Sequence, residues 1–347
     1  MKKVLPEAFT FDDVLLRPLA SAIEPREAQL HTRVAGLDLQ LPILSAAMDR
    51  VSGPRLAIEL GKLGGLSVIH RNCTIEEQVA MVKEVKSAGI TVAAACGPFA
   101  ADRALALEAA GADAIVIDCA HGHNLNVIQS AKDIKKKLKK AQMIFGNIAT
   151  AEAARAVVGF ADAIKVGVGP GSICTTRLVS GVGMPQLSAV MEVAKVARKK
   201  KVAVIADGGI RTSGDIAKAL AAGASAVMLG NLFAGTDETP GDIVEVDGRR
   251  YKEYRGMGSK AVIESSSGKE RYLTQGRKAV PEGVEALVPC KGPVADVVAT
   301  LASGIQVGMG YLGAKTIVEM QKKAQFVRIS HASALEGKPH SLSRVLE

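Results

Sequence analysis

The 347-residue chain lacks any run approaching the roughly 18 uncharged apolar residues of a membrane-spanning helix, so the sequence excludes a helical span and no membrane partner is expected. Its first residues, Met1-Lys2-Lys3-Val4-Leu5-Pro6-Glu7, reach Pro6 and Glu7 before the apolar core of a secretory signal develops, and a cytoplasmic location is expected. Cysteine is sparse. Cys73, Cys96, Cys119, Cys174 and Cys290 are odd in number, scattered, and never spaced C-x-x-C, which argues against a disulfide framework and a zinc site. Any special cysteine is therefore special as a thiol. Aromatic residues make up only 3% of the chain, and none interleaves the basic runs at 132–140 and 198–201 that carry much of the formal charge of +9. Each run ends a helix-like segment, where cations suit the negative end of the helix, so they read as solvated helix ends and no nucleic-acid partner is expected.

With 48% hydrophobic and 23% charged residues, the chain can bury a sizeable core. Short apolar, β-rich runs alternate with longer amphipathic ones, the pattern of a parallel sheet covered on both faces. The runs predict eight strands, at 42–48, 65–70, 91–95, 114–118, 143–146, 163–166, 202–207 and 226–229. Helices are predicted at 54–62, 75–86, 99–110, 125–140, 151–158, 185–199 and 213–222. A weak repeat joins them: Gly111-Ala112-Asp113, Phe160-Ala161-Asp162 and Gly223-Ala224-Ser225 each close a helix and open a strand. Eight such units suit a (β/α)8 TIM barrel better than an open doubly wound sheet. From 242 to 292 the chain turns polar and irregular, with only a hairpin-like piece (243–246, turn Asp247-Gly248, 249–254), which predicts a mobile flap inserted after the eighth strand. Amphipathic character returns at 294–301 and 315–323, so the whole of 1–347 reads as a single barrel domain.

In such a barrel the working residues follow the strands. The sixth strand is followed by Gly167-Val168-Gly169-Pro170-Gly171-Ser172-Ile173-Cys174-Thr175-Thr176-Arg177. The alternating glycines permit close backbone approach, Ser172 offers a phosphate-binding hydroxyl, and Arg177 stands near enough in sequence to favour a Cys174 thiolate. A lone cysteine is more often a buried small hydrophobe, but polar and glycine-rich surroundings favour the reactive reading here. After the seventh strand come Asp207-Gly208-Gly209-Ile210-Arg211 and after the eighth Gly230-Asn231, where barrels build a phosphate site from backbone N–H groups and a helix start. Tight turns alone would explain either loop, though less readily both together. His121 and His123 have no carboxylate or cysteine pattern to complete a metal site.

The string from Gly167 to Gln186, with 206–211, Tyr254-Arg255-Gly256-Met257-Gly258-Ser259 and Phe11-Asp12-Asp13-Val14-Leu15-Leu16-Arg17-Pro18, closely resembles the IMP dehydrogenase and GMP reductase family over nearly the whole chain. The resemblance implies a catalytic (β/α)8 barrel, a purine 5'-monophosphate substrate such as IMP, and NAD as cofactor. It implies that Cys174 attacks C2 of the purine to give a covalent intermediate. By the same resemblance Ser172, Gly208, Gly209, Gly230, Asn231, Tyr254, Gly256, Met257 and Gly258 bind the nucleotide and Asp207 its ribose. Asp118, with Gly167 and Gly169, would meet the nicotinamide riboside; by itself an Asp at that place is better read as a helix cap. Lys269-Glu270-Arg271-Tyr272 and Val280-Pro281-Glu282-Gly283 resemble the dehydrogenase flap, in which the Arg271–Tyr272 pair activates water and Thr176 with Glu282 forms a second proton path.

The backbone at Gly169, Gly171 and Cys174 resembles a potassium (K+) site completed by a neighbouring subunit's Glu336, Gly337 and Lys338, which implies a homotetramer. Most IMP dehydrogenases carry a module of paired CBS motifs after the second helix; here 82–90 run directly into the third strand, leaving no room for it. Three functions remain open. The first is an NAD-dependent IMP dehydrogenase of guanine nucleotide biosynthesis, the second an NADPH-dependent GMP reductase, and the third a nucleotide-binding barrel without turnover. The Arg271–Tyr272 pair, the form of 254–259, the tail and Arg71, where reductases typically place lysine, favour the dehydrogenase.

Overall fold

The structure is a computed structural model that describes residues 6–264 and 280–339. A short strand β1 (Val14–Leu16) and a hairpin of β2 (Thr32–Val34) and β3 (Leu37–Leu39) precede eight strands that alternate with helices. These are β4 (Ile43–Ser45), β5 (Leu66–Ile69), β6 (Val92–Cys96), β7 (Ala114–Asp118), β8 (Gln142–Ile148), β9 (Ala163–Val166), β10 (Ala203–Asp207) and β11 (Ala226–Leu229). All eight pair in parallel and close on themselves in the order β4-β5-β6-β7-β8-β9-β10-β11, which is the (β/α)8 barrel expected from the pattern. The helices are α1 (Pro54–Lys62), α2 (Ile75–Ser87), α3 (Ala101–Ala109), α4 (Leu125–Lys137), α5 (Ala151–Val157), a short α6 (Thr176–Ser180), α7 (Gln186–Ala197) and α8 (Ser213–Ala221). Three of the eight strands and the first helix begin and end at the predicted residues. α4 stops three residues early, because Leu138 leaves helical geometry while the lysines before it sit over the last turn.

Period-two alternation divides the strand side chains between two apolar layers. Leu44, Val68, Ala95, Val116, Ala163 and Ile205 fill the barrel, while Ile43, Ile69, Cys96, Ile117, Ile164 and Val204 pack outward against the helices. Val34, Ala35 and Leu39 of the β2–β3 hairpin join the inner layer, and Thr32 Oγ1 donates to Ser225 O just before β11, so the hairpin plugs the amino-terminal end of the barrel. The opposite end stays open for chemistry.

The sequence repeat acquires a physical meaning here. Asp113, Asp162 and Ser225 stand immediately before β7, β9 and β11, and each side chain accepts the N–H of the preceding strand: Val92 N to Asp113 Oδ2 at 2.8 Å, Met143 N to Asp162 Oδ2 at 2.7 Å, Val204 N to Ser225 Oγ at 3.3 Å. Each residue's own N–H returns a bond to that strand's carbonyl, so the pair fixes register at every second junction. Lys86 and Lys135 then pair with Asp113 and Asp162, which uses part of the charge of the lysine-rich helices.

Beyond β11 the hairpin β12 (Ile243–Val246) and β13 (Arg249–Arg255) turns at Asp247 and Gly248, both with positive φ, as an Asp-Gly hairpin demands. Among its described residues this region holds more regular structure than its composition suggests. Helix α9 (Lys260–Glu264) follows, and β14 (Glu285–Pro289) adds a third antiparallel strand. Burial of Tyr254 and Val288 joins this sheet to the main core, while β12 is exposed along its length. The chain then continues through α10 (Val294–Tyr311), much longer than its apolar pattern indicated, α11 (Ile317–Lys323), β15 (Phe326–Arg328), which pairs with β1, and α12 (His331–Glu336). Between α2 and β6 only Ala88, Gly89, Ile90 and Thr91 intervene, so no module is inserted there. No helix among the described residues is long and apolar enough to cross a membrane.

Candidate active site

A cleft of about 1300 Å³, counting its open mouth, lies over the carboxyl ends of the strands. It gathers Asp118, Gly167, Gly169, Gly171, Ser172, Cys174, Thr176, Asp207, Gly208, Gly209, Gly230, Asn231, Tyr254, Gly256, Met257, Gly258 and Glu282. These residues come from separate stretches of sequence; barrel closure gathers those up to Asn231, and the sheet beyond β11 brings in the rest.

The Cys174 loop is held from one side by the segment that precedes β14. Thr175 N donates to Glu282 O at 2.9 Å, Val284 N to Ile173 O at 3.0 Å, and Cys174 forms a β-bridge with Gly283. On the other side of that segment, Glu282 N donates to Gly258 O and Gly256 N to Val284 O, each at 3.0 Å. This three-layer pairing leaves a chain of side chains in the cleft. The Cys174 thiol donates to Thr176 Oγ1 at 3.2 Å, and that hydroxyl donates to Glu282 Oε2 at 2.7 Å. Thiol, hydroxyl and carboxylate thus stand in one hydrogen-bonding sequence. Arg177 has a more structural place than its sequence position suggested. Its guanidinium donates to Val168 O and Met184 O and so pins both ends of the loop.

The floor of the cleft is ionic. Lys165 Nζ lies 2.7 Å from Asp207 Oδ2 and 3.1 Å from Asp118 Oδ1, and it also donates to Asn147 Oδ1. Asn147 Nδ2 donates to Asp207 Oδ2 at 2.9 Å and to Gly167 O at 2.8 Å. Burial works to lower the pKa of Lys165, but Asp207 and Asp118 outweigh it and hold the ammonium above its ordinary value. Asp118 does not cap α4; Asn124 does, with its side chain accepting from Asn126 N and Val127 N.

The loops after β9 and β11 reach the cleft through glycine. At Gly167, with φ of +153°, a Cβ would lie 2.1 Å from Asp207 O, and at Gly230 it would lie 3.0 Å from Tyr254 Oη, so larger residues cannot enter either place unchanged. Burial pushes the Tyr254 hydroxyl up to about 12 against the opposing hydrogen bond with Ser172, so it stays a neutral donor. The start of α8 is partly taken up by its own caps. Thr212 Oγ1 caps α8 by accepting from Asp215 N at 3.1 Å, while Asp215 Oδ2 accepts from Arg211 N and Thr212 N, and β11 is followed by turns instead of a helix. Loop N–H groups and hydroxyls at this end of the barrel are the candidate donors to an anion.

The three-stranded sheet is latched to the barrel by Arg255 of β13. Its Nη2 lies 2.5 Å from Asp49 Oδ2, and Asn72 Nδ2 donates to the same oxygen at 2.6 Å. Burial would raise the pKa of Asp49, yet Arg255 and Asn72 prevail and hold it below its ordinary value. Arg271 and Tyr272 lie outside the described residues. Glu336 ends α12, with Gly337 and Lys338 just beyond, and that helix packs by the turn at Phe11–Asp13 without lining the cleft of its own chain. Among the described residues no cluster of three His, Cys, Asp or Glu side chains could hold a metal, and the five cysteines are free thiols.

Sequence reasoning missed Lys165 and Asn147. A signal for the first was present: a lysine inside the apolar run of a barrel strand, two residues from inward-facing Ala163, has to be buried and paired.

Comparison with known proteins agrees with this architecture. A family model described as the IMP dehydrogenase / GMP reductase domain matches residues 8–340. The inosine-5'-monophosphate dehydrogenase of Methanocaldococcus jannaschii is 40% identical, with 99% of this chain and 97% of that protein covered. The enzymes of that name from Halobacterium salinarum and Cryptosporidium parvum are each 40% identical, covering 97% and 99% of this chain and 94% and 98% of their own. The alignment with the Methanocaldococcus protein runs over 481 positions, so that relative carries residues within the aligned region for which this chain has no counterpart.

Proposed function

Because the chain belongs to the IMP dehydrogenase / GMP reductase family, we propose that it is an IMP dehydrogenase, oxidising IMP to XMP with NAD in guanine nucleotide biosynthesis. The observation that carries this reading is the Cys174–Thr176–Glu282 chain at the mouth of a barrel whose loops present glycine backbone and a neutral tyrosine. Ser172, Gly208, Gly209, Gly230, Asn231 and Tyr254 would hold the phosphate, Gly256, Met257 and Gly258 the base, and Asp207 the ribose hydroxyls. Both Asn147 and Lys165 engage Asp207 Oδ2, and among the described residues no side chain bonds Oδ1, which supports its role as a hydroxyl acceptor.

The cleft also fits a nicotinamide dinucleotide. Asp118 offers a carboxylate, and Gly167 and Gly169 offer bare backbone; at Gly169 a Cβ would lie 2.6 Å from Arg177 Cγ. When bound, NAD supplies the acceptor for the hydride that leaves C2 of the purine. The chain's own residues do the rest. Cys174 sulfur bonds to C2 as the C2–N3 π bond opens towards N3, and its proton leaves towards Thr176 and Glu282; loss of the hydride restores that double bond. After hydride loss, water displaces the sulfur from C2, and Arg271 with Tyr272, or Thr176 with Glu282, takes the proton from that water. Residues 242–292 act as the flap of a single catalytic domain.

Carbonyls of Gly169, Gly171 and Cys174 suit a potassium ion: Gly171 O accepts one bond, from Cys174 N at 3.2 Å, and a carbonyl oxygen has a second lone pair. Glu336, Gly337 and Lys338 of a neighbouring copy would complete that site in a homotetramer. A cytoplasmic location and small-molecule partners belong to the same proposal.

The test is a pair of assays that follow the ultraviolet absorbance of reduced nicotinamide. Formation of NADH from IMP and NAD is expected. Consumption of NADPH with GMP alone would establish the reductase instead, and inactivity in both would leave a nucleotide-binding barrel.

A further inference from the structure

Lys165 is only 3% exposed and stands in β9 between Ile164 and Val166, which face the helices, so it projects into the barrel above Ala163. An ammonium so placed persists only where charges and hydrogen bonds compensate its desolvation. The compensation comes from two carboxylates on different strands, Asp118 of β7 and Asp207 of β10, with Asn147 of β8 as a neutral third acceptor. In the function proposed above, on which this inference rests, those carboxylates serve different ligands, the dinucleotide and the mononucleotide. We infer that Lys165 is the positioning residue for both subsites, keeping the two carboxylates ionised and aimed, so that the mononucleotide and dinucleotide sites share one buried cation.

The remaining charges make the sharing unequal. Asp118 has a second cation, Arg71, whose Nε lies 4.0 Å from Oδ2 and whose Nη2 donates to Asp118 O at 3.3 Å. Asp207 has no cation besides Lys165 among the described residues; its other neighbours are the Asn147 amide, the Gln186 amide on its backbone carbonyl, and the neutral Tyr254. Without Lys165, the buried carboxylate of Asp118 and the half-buried one of Asp207 would face each other, and one would keep a proton into the neutral range. That proton falls on Asp207. A protonated Asp207 loses the charge-assisted acceptance of ribose hydroxyls, so the mononucleotide site suffers more than the dinucleotide site.

The experiment measures IMP and NAD binding to the full chain by calorimetry from about pH 7 to 8.5, above the titration of the ligand's own phosphate at about pH 6, with thermal melting to establish folding. Wild-type affinity for IMP should be flat across that range. Lys165→Met should weaken IMP binding by about tenfold or more at neutral pH and make it recover as pH rises and Asp207 ionises, with a smaller effect on NAD. The double variant Lys165→Met/Asp118→Asn keeps the net charge of the buried cluster. It should regain IMP affinity with a flat pH profile while losing NAD affinity, a pattern that mere structural damage would not produce. If Lys165→Met fails to fold, the double variant decides alone against wild type: IMP affinity close to wild type with weakened NAD binding supports the inference, and IMP binding weakened about tenfold or more overturns it. The inference is overturned if IMP affinity in Lys165→Met stays within about twofold of wild type at every pH, or if the double variant binds IMP no better than the single one, or with a slope in pH. A wild-type chain that binds no IMP would instead overturn the proposed function, and this inference with it.

Discussion

Replacing Thr176 with valine should separate the chemistry of the Cys174 loop from its folding. Valine keeps the β-branched shape that the first turn of α6 accepts, and it removes one hydroxyl. That hydroxyl accepts from the Cys174 thiol at 3.2 Å and donates to Glu282 Oε2 at 2.7 Å, so the substitution cuts the side-chain path at its centre and leaves the backbone pairing of Thr175 with Glu282 in place. A hydrogen bond to a charged group contributes about 1.5–3 kcal/mol, and 1.36 kcal/mol corresponds to about one decade in rate, so kcat should fall by roughly 10- to 100-fold if the path carries a proton in the slow step. Thr176→Ser keeps the hydroxyl and should stay within a few-fold of wild type. Stopped-flow absorbance of NADH with IMP and NAD resolves the first turnover from the steady state, and thermal melting separates both from stability. The reasoning is refuted if Thr176→Val retains kcat within about twofold while Glu282→Gln does the same, since no proton then needs that path.

Cys174→Ala should abolish turnover and leave the melting temperature close to wild type, because the side chain is only partly buried and its loop is held by backbone bonds; turnover near the wild-type rate would dismiss the covalent mechanism. Arg271→Ala should preserve a burst of NADH and slow the steady state, since hydride transfer precedes hydrolysis; loss of the burst itself would contradict the division of labour. Asp162→Ala should cost about 1–3 kcal/mol of stability, read by urea denaturation, because it removes the acceptor of Met143 N and the partner of Lys135; an unchanged midpoint would show that strand register does not depend on it. For Asp49, held below its unfolded value of 3.8, the stabilisation is present above that pH and fades as pH falls through the lower folded value. Asp49→Asn should therefore be less stable than wild type at neutral pH, and the difference should narrow in acid; a gap constant down to about pH 2 would exclude the ionised latch with Arg255.

Particular elements show where local pattern suffices. Strand β7 and helix α1 match their predicted bounds because apolar periodicity and flanking Gly, Pro and Asp act within a few residues. The same locality explains the errors. β14 reads as polar loop because its partner β13 lies some thirty residues away and only Val288 of its five residues is buried, so no periodic apolar signal marks it. A Thr-x-x-Asp spacing marks the capping of α8 by Thr212 and Asp215, yet the glycines beside it suit an anion site as well, and only the folded geometry shows which N–H groups the caps take.

The sequence by itself determined the eight alternating units, their order, and the chemical kinds gathered on the loops, because burial periodicity and turn chemistry are properties of contiguous residues. Tertiary structure alone decided which of those residues meet. Glu282 reaches Thr176 across more than a hundred residues because the segment before β14 pairs with the Cys174 loop, and Lys165 finds Asp118 and Asp207 because barrel closure turns three separate strands inward at one level. Such contacts depend on the closing register of the whole sheet, a long-range constraint that no local stretch of the chain encodes.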